Sequence, residues 1–323
     1  MICIDIRLIT YNRPNNVRRV LDQISGLDTG NFSITVFDNS TNSETSEVVR
    51  RYQFAKYIKT GYNIGFRKNY FSAIFNGLDH DSISMENSYI WIIADDDDNY
   101  QEVLSNIPKL LTQEINPELI QLANSDIPYR SERFYFGDDV IRFYQDSIRS
   151  KYIPCGLISD ILYKKSTLQR IFKNNSTQYM SNLMNNNFPQ TALVLKILES
   201  RDITMYHSNY NISWVPQRSS SFSLYMNYLS LRDIYQSTSL VPSTLSKSFL
   251  SWLSLSYASC IIKSHFLALL SKRRFETDDG IREARSLIKE YIRVRPILNL
   301  ASIKLIILTI MVFTLHITKV LSK

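Results

Sequence analysis

At 323 residues, 44% hydrophobic and 21% charged, the chain has room for one large domain or two modest ones, and this composition is that of a globular protein and excludes a disordered one. The formal charge of +7 and a pI near 9.1 fit nucleic acid, a membrane surface or an anionic substrate, and composition does not choose among them. Cys3, Cys155 and Cys260 are odd in number and far apart, which argues against a paired metal motif or a disulfide framework and fits a reducing cytoplasm. Asp5 interrupts the first apolar run, so the N-terminus reads as folded sequence and not as a signal peptide.

Residues 2–9 read as a strand ending in Thr10-Tyr11-Asn12-Arg13-Pro14. Pro14 suits the first turn of a helix whose apolar stripe is Val17, Val20, Leu21 and Ile24. A second strand over 33–37 ends in Asp38-Asn39-Ser40, and Thr41 with Glu44 predicts a capping box for a helix through Val48, Val49 and Tyr52. A third strand at 57–59 runs into Gly61-Tyr62-Asn63-Ile64-Gly65, and a helix over 68–76 stops at Gly77. Tyr89-Ile90-Trp91-Ile92-Ile93 is a fourth strand, too short and too rich in β-formers for a helix. Ala94 leads from it into Asp95-Asp96-Asp97-Asp98.

A helix over 103–111 and a strand over 119–122 follow. Residues 124–152 are polar and aromatic and read as an insertion or loop facing a substrate. A strand over 156–163, a helix over 166–172, an Asn-rich linker over 174–187 and a helix from Pro189 to Arg201 come next, then short strands at 203–206 and 212–215. From about Phe222 the character is helical, with amphipathic stretches at 249–270 and 281–292 and Lys272-Arg273-Arg274 between them. Residues 297–317 are strongly apolar but contain Lys304 and His316, and Arg293, Arg295, Lys319 and Lys323 flank them. A core helix, a membrane-surface helix and a bilayer span all fit this segment.

Four adjacent carboxylates repel, and packing gives no reason to set them at the end of a core strand. A hard divalent cation, Mg2+ or Mn2+, removes that repulsion, because it prefers oxygen ligands and bridges carboxylates to phosphates. A solvated acidic turn that caps the helix near Gln101 is the plainer alternative. Strand and helix alternate four times in the first 110 residues, the pattern of a parallel sheet covered on both faces, and such sheets bind ligands beyond the carboxyl ends of their strands. Those ends carry Thr10-Tyr11, Asp38, Asn63 to Gly65 and the acidic tetrad, so every polar cluster falls on one edge.

That ordered set resembles the GT-A glycosyltransferases of family 2 over roughly the first 110 residues, and Gly156 to Lys165 is similar to that family's strand with trailing basic residues. The resemblance implies an α/β, Rossmann-like and mostly parallel sheet flanked by helices. It implies a catalytic domain over 1–220, with a nucleotide-sugar half at about 1–115 and an acceptor half at about 116–220, and a C-terminal helical region over 221–323. It implies metal-dependent transfer of a sugar from a nucleoside-diphosphate donor to a saccharide or lipid-linked saccharide acceptor. The setting would be bacterial surface-polysaccharide synthesis, at the inner-membrane surface on the cytoplasmic side. Thr10, Tyr11, Arg13, Asp38, Asn63, Gly65 and Lys68 fall at the family's nucleotide-binding positions, with Arg67 beside them. Asp95 and Asp96 would face the nucleotide and Asp97 would hold the metal, although the run of four leaves Asp96 and Asp98 as alternatives. Asp38 would accept the ring N–H of uracil or thymine, which favours UDP or dTDP over CDP, GDP or ADP.

Each of these positions also has an ordinary structural reading. Asp38 fits an Asx turn, Tyr11 edge packing, Asn63-Ile64-Gly65 a plain turn, and Arg67 and Lys68 a solvated helix face. The family's acidic base has no counterpart at Pro189-Gln190-Thr191, which leaves Asp160, Asp126 and His207 as substitutes. A nucleic-acid-binding protein lacks support, since the basic residues are scattered and no stacking motif is present. A sugar-nucleotidyltransferase would open with a Gly-rich phosphate loop, and Thr10 to Pro14 has no glycine.

Overall fold

The computed structural model describes residues 3–27, 29–78, 87–111, 116–124, 132–149, 158–174, 189–198, 200 and 202–214. The chain divides into two compact units, one of Met1–Ser220 with Ser237–Pro242 and one of Ser221–Gln236 with Ser243–Lys323. All described residues lie in the first; Asp126 and the apolar segment 297–317 lie outside the described residues.

The first half follows the expected alternation. Strand β1 (Cys3–Thr10) leads through Pro14 into helix α1 (Pro14–Ser25), which buries the stripe Val17, Val20, Leu21 and Ile24. Strand β2 (Phe32–Asp38) is followed by α2 (Glu44–Val49), then β3 (Ala55–Lys59) and α3 (Phe66–Phe75). The capping box on Thr41 does not form. The N-cap of α2 is Ser43, which makes no side-chain cap bond, while Glu44 and Glu47 in the first turn complement the helix dipole.

Strand β4 (Ser88–Ala94) is the most deeply buried: Tyr89, Ile90, Trp91, Ile92 and Ile93 are all 0% exposed. Each such side chain contributes about 1.5–3 kcal/mol of hydrophobic stabilisation, enough to hold a strand whose end is electrostatically unfavourable. The chain continues into the short strand β5 (Asp97–Asp98) and α4 (Tyr100–Leu110).

Pairing fixes where these ends lie. Strands β3, β2, β1 and β4 are neighbours in that order and all parallel, with Thr10 opposite Asp38, Asp38 opposite Lys59, and Ile9 opposite Ala94. Their carboxyl ends therefore share one edge.

Beyond β4 the sheet is mixed. The segment 124–152, expected as a loop, contains β7 (Arg133–Phe136) and α5 (Asp138–Arg149) after β6 (Leu119–Asn124). The strand expected over 156–163 is a 3-10 turn, Ile158–Asp160, followed by β8 (Ile161–Lys164). Helices α6 (Lys165–Asn174) and α7 (Pro189–Ile197) precede β9 (Thr204–Trp214). The two short strands expected near 203 and 212 are this single strand, with a register shift in its pairing to β6 between Gln121 and Ala123. Strand β8 lies antiparallel between β4 and β6, and β9 pairs parallel with β6 and antiparallel with both β7 and β5.

One buried charge ties the layers together. Arg7 in β1 is 3% exposed and donates to Asp5 Oδ2 and to the carbonyls of Ala73 and Ile74 in the last turn of α3. A guanidinium there satisfies helix-end acceptors and complements the dipole.

Candidate active site

The ends of the parallel strands are bonded into one rim. The Asn39 amide donates to the Thr10 carbonyl and the Thr60 amide to the Asp38 carbonyl, each at 3.0 Å. Asn39 then organises the next loop. Its Oδ1 accepts the Ile64 amide at 2.8 Å, and its Nδ2 donates to Asn63 Oδ1 at 2.8 Å. The same Asn63 oxygen accepts the Gly65 amide at 2.8 Å. Gly65 has φ 81° and ψ 158°, a region that is essentially glycine-only, and opens α3. A Cβ added there would meet nothing within 4 Å, so the conformation and not crowding requires glycine.

Asp38 sits at the expected strand end but is 0% exposed. Its Oδ1 accepts the Ser40 amide at 2.8 Å, an Asx turn, and its Oδ2 accepts the Tyr57 hydroxyl at 2.6 Å. Burial and the bond to Asp38 push the Tyr57 phenol up, so Tyr57 stays a donor. Tyr11 is exposed, as are Asn63 and Lys68, while Arg67 is half-buried.

The four acids of the tetrad have different surroundings. Asp95 is 3% exposed; its Oδ2 accepts the Thr10 hydroxyl at 2.5 Å and its Oδ1 accepts Arg13 Nη1 at 2.9 Å. The same Arg13 nitrogen reaches Asp96 Oδ2 at 3.2 Å. Asp98 turns toward α1, where Arg19 Nη1 donates at 3.2 Å and Gln23 Nε2 also donates. Arg19 Nη2 braces the turn through the carbonyls of Asp95 (3.1 Å) and Asp97 (2.9 Å).

Asp97 is 2% exposed, and its Oδ2 accepts the Ser159 hydroxyl. Among the described residues its carboxylate makes no ion pair. Burial pushes its pKa up to about 7, and the neighbouring Asp96 and Asp95 push the same way against the Ser159 bond and Arg19. Burial likewise raises Asp95 to about 6, opposed by Thr10 and Arg13. A dry carboxylate among other carboxylates is a place where a cation is favoured. Among the described residues no group of three or more His, Cys, Asp or Glu side chains is arranged to hold a metal.

Of the base candidates, the two described ones, Asp160 and His207, are buried. Asp160 is 0% exposed, in the 3-10 turn, and its carbonyl accepts Gln121 Nε2 at 3.2 Å. His207 is 1% exposed on β9, its ring 5.2 Å from that of Phe143.

Ser159, Asn39, Tyr57, Arg19 and Gln23 are the site residues that sequence reasoning missed. Ser159 joins three elements: its hydroxyl bonds Asp97, its Oγ accepts the Ala94 amide at 3.1 Å, and its carbonyl accepts Trp91 Nε1 at 2.8 Å. Nothing local to a single serine signals this. Arg19 and Gln23 carried a signal, since polar residues four apart on α1 share a helix face beside the apolar stripe.

The chain matches no protein-family model and no curated protein sequence. Solved structures do resemble it. S. aureus TarS 1-349 in complex with UDP-GlcNAc superposes with a TM-score of 0.58 at 13% identity, over 91% of this chain and 82% of that one. The mannosyltransferase PcManGT from Pyrobaculum calidifontis, in complex with GDP-Man and Mn2+, superposes with a TM-score of 0.55 at 12% identity, over 95% of this chain and 86% of that one. The order β3-β2-β1-β4, the antiparallel β8 beside it, the acidic turn after β4 and these likenesses together establish the fold as GT-A.

Proposed function

We propose that the chain is a metal-dependent glycosyltransferase of the family 2 type, moving a sugar from a nucleoside-diphosphate donor to a saccharide or lipid-linked saccharide. The observation that carries this reading is the single rim that joins Thr10, Asp38, Asn63 to Gly65 and the buried Asp95 and Asp97. Parallel sheets bind nucleotides at such an edge. That the fold also carries UDP-GlcNAc in TarS and GDP-Man with Mn2+ in PcManGT supports a nucleotide sugar and a divalent ion here.

In this reading the Gly65 loop lets main chain approach the nucleotide, and Tyr11 offers an exposed ring face to the base. Asp38 gives the preference for UDP or dTDP. A carboxylate has about four acceptor positions, of which Ser40 and Tyr57 use two. Its carboxylate exposes no surface here, so base recognition requires its cover to shift. Asp97, with Asp95 and Asp96 beside it, would hold Mg2+ or Mn2+, which when bound stabilises the departing diphosphate. Asp98 accepts from Arg19 and Gln23 of α1, which supports Asp97 over Asp98 as the metal ligand. Arg13 and Lys68 supply positive charge for the phosphates.

The acceptor and the setting are read from the sequence. The basic balance and the apolar segment 297–317, flanked by arginine and lysine, support an anionic lipid carrier and a peripheral position on the cytoplasmic face of a membrane. Among the described residues no helix is long and apolar enough to cross a membrane. The experiment is donor turnover: incubation with UDP-sugars and Mn2+ should release UDP slowly even with water as acceptor. Release that Asp97→Asn leaves unchanged would refute the reading.

A further inference from the structure

Arg13 and Arg19 both reach the acidic tetrad, but they bind different parts of it. Arg19 donates to the main-chain carbonyls of Asp95 and Asp97 and to Asp98, and so fixes the backbone of the turn. Arg13 touches carboxylate oxygens of Asp95 and Asp96, the hard donors a divalent ion would also use. Its main chain is anchored, since its carbonyl accepts the amides of Asn16 and Val17 at 3.1 Å each and Pro14 follows in the first turn of α1. Its side chain is 40% exposed, against 4% for Asp95 and 27% for Asp96. The guanidinium can therefore leave on a solvated stem without disturbing the fold.

We infer that Arg13 is an exchangeable counter-ion: it neutralises Asp95 and Asp96 while no donor is bound and passes to the diphosphate when a metal and nucleotide bind. This rests on the reading of the chain as a nucleotide-sugar transferase. A divalent ion arriving alone meets a positive group already seated on two of the carboxylates. An ion arriving with a diphosphate brings the anion that releases Arg13, because the guanidinium fork matches phosphate oxygens as well as it matches carboxylates. Metal and nucleotide then bind synergistically, and by linkage each raises the affinity for the other by the same factor. Arg13 thus occupies the carboxylates of Asp95 and Asp96 between turnovers and keeps them from trapping metal without donor.

The test is Mn2+ binding to the full chain, read from the paramagnetic resonance signal of free Mn2+ and therefore independent of turnover. It uses wild type, Arg13→Met and Arg13→Lys, each with and without UDP or GDP. In wild type, Mn2+ alone should bind weakly and the nucleotide should tighten it by about tenfold or more, within the usual range of coupling between sites. Arg13→Met should bind Mn2+ alone about tenfold tighter than wild type, the worth of one charge-assisted bond no longer in competition, and should lose most of the nucleotide effect. Arg13→Lys keeps the charge and should keep the weak binding of metal alone. If Arg13→Met does not melt cooperatively, Arg13→Gln, which keeps a donor for Asp95 but no charge, carries the same expected tightening. Mn2+ affinity without nucleotide that is the same in the neutral variant as in wild type overturns the inference; nucleotide-dependent Mn2+ binding by wild type would then leave the transferase reading standing. A wild type that binds neither Mn2+ nor either nucleotide overturns both.

Discussion

Asp97→Asn should make the metal-free protein more stable while removing its response to metal. The Asp97 carboxyl has its pKa pushed from 3.8 up to about 7, with burial as the main cause. Between about pH 4 and pH 7 the folded chain therefore holds a proton that the unfolded chain has lost. Stability then falls as pH rises through that window. Above pH 7 the shift corresponds to about 4 kcal/mol of ionisation cost carried by the fold, at about 1.36 kcal/mol per unit. Asparagine keeps an oxygen to accept the Ser159 hydroxyl and has no charge to desolvate, though its amide N–H groups need partners in the same buried place. The net gain expected at pH 8 is about 2–4 kcal/mol, a rise in melting temperature on the order of 10 °C for a domain of this size. At pH 5, where the wild-type carboxyl is mostly protonated, the gain should shrink to about 1–2 kcal/mol. Thermal and urea unfolding followed by circular dichroism, in chelator-treated buffer at both pH values, measures this directly. Mn2+ with UDP should raise the wild-type melt and leave the variant unmoved. A stability difference between variant and wild type that is the same at pH 8 and pH 5 would refute the reasoning, because the amide cost does not change with pH and the ionisation cost does.

Other residues give sharper readings of single steps. Asp38→Ala should lower UDP affinity by about 1.5–3 kcal/mol in isothermal titration, and should also lower the melting temperature, because Ser40 and Tyr57 lose their acceptor. Equal UDP affinity in the variant would remove Asp38 from the site. Gly65→Ala should cost about 1–3 kcal/mol of stability through backbone conformation alone and weaken nucleotide binding, checked by the same melts and titrations. Asp160→Asn should slow transfer by less than about tenfold, against the roughly 10²–10⁴-fold loss expected for a catalytic base, since Asp160 is buried. Deleting residues 297–323 should move the protein from the membrane to the soluble fraction. Loss of a cooperative melt in the truncated chain would instead place that segment in a core.

The first half of the fold was legible because its information is local. The stripe Val17, Val20, Leu21 and Ile24, Pro14 at the helix start, and the apolar run 89–93 each specify an element within a few residues of themselves. The site edge followed from strand alternation alone. The second half was less legible because it depends on distant pairing. Residues 161–164 do not reveal that they run antiparallel between β4 and β6, and the segment 124–152 is too polar for its strand and helix to stand out. Within the site, four identical aspartates differ only in what faces them. Thr10, Arg13, Arg19, Gln23 and Ser159 supply those differences from 62 to 85 positions away in the chain. Pro189-Gln190-Thr191 has no acid, and Asp160 and His207 are buried, so no local pattern marks a base.

The claim that the rim is a nucleotide-sugar site is tested most directly by melting the full-length protein with UDP-, dTDP-, CDP- and GDP-sugars, each with and without Mn2+. Binding to the folded state at a hundred times the dissociation constant adds about 2.7 kcal/mol, a shift of several degrees. The account predicts a shift with UDP- or dTDP-sugars that requires Mn2+ and is absent in Asp97→Asn. A melting temperature that no nucleotide sugar moves, with metal or without, would contradict it.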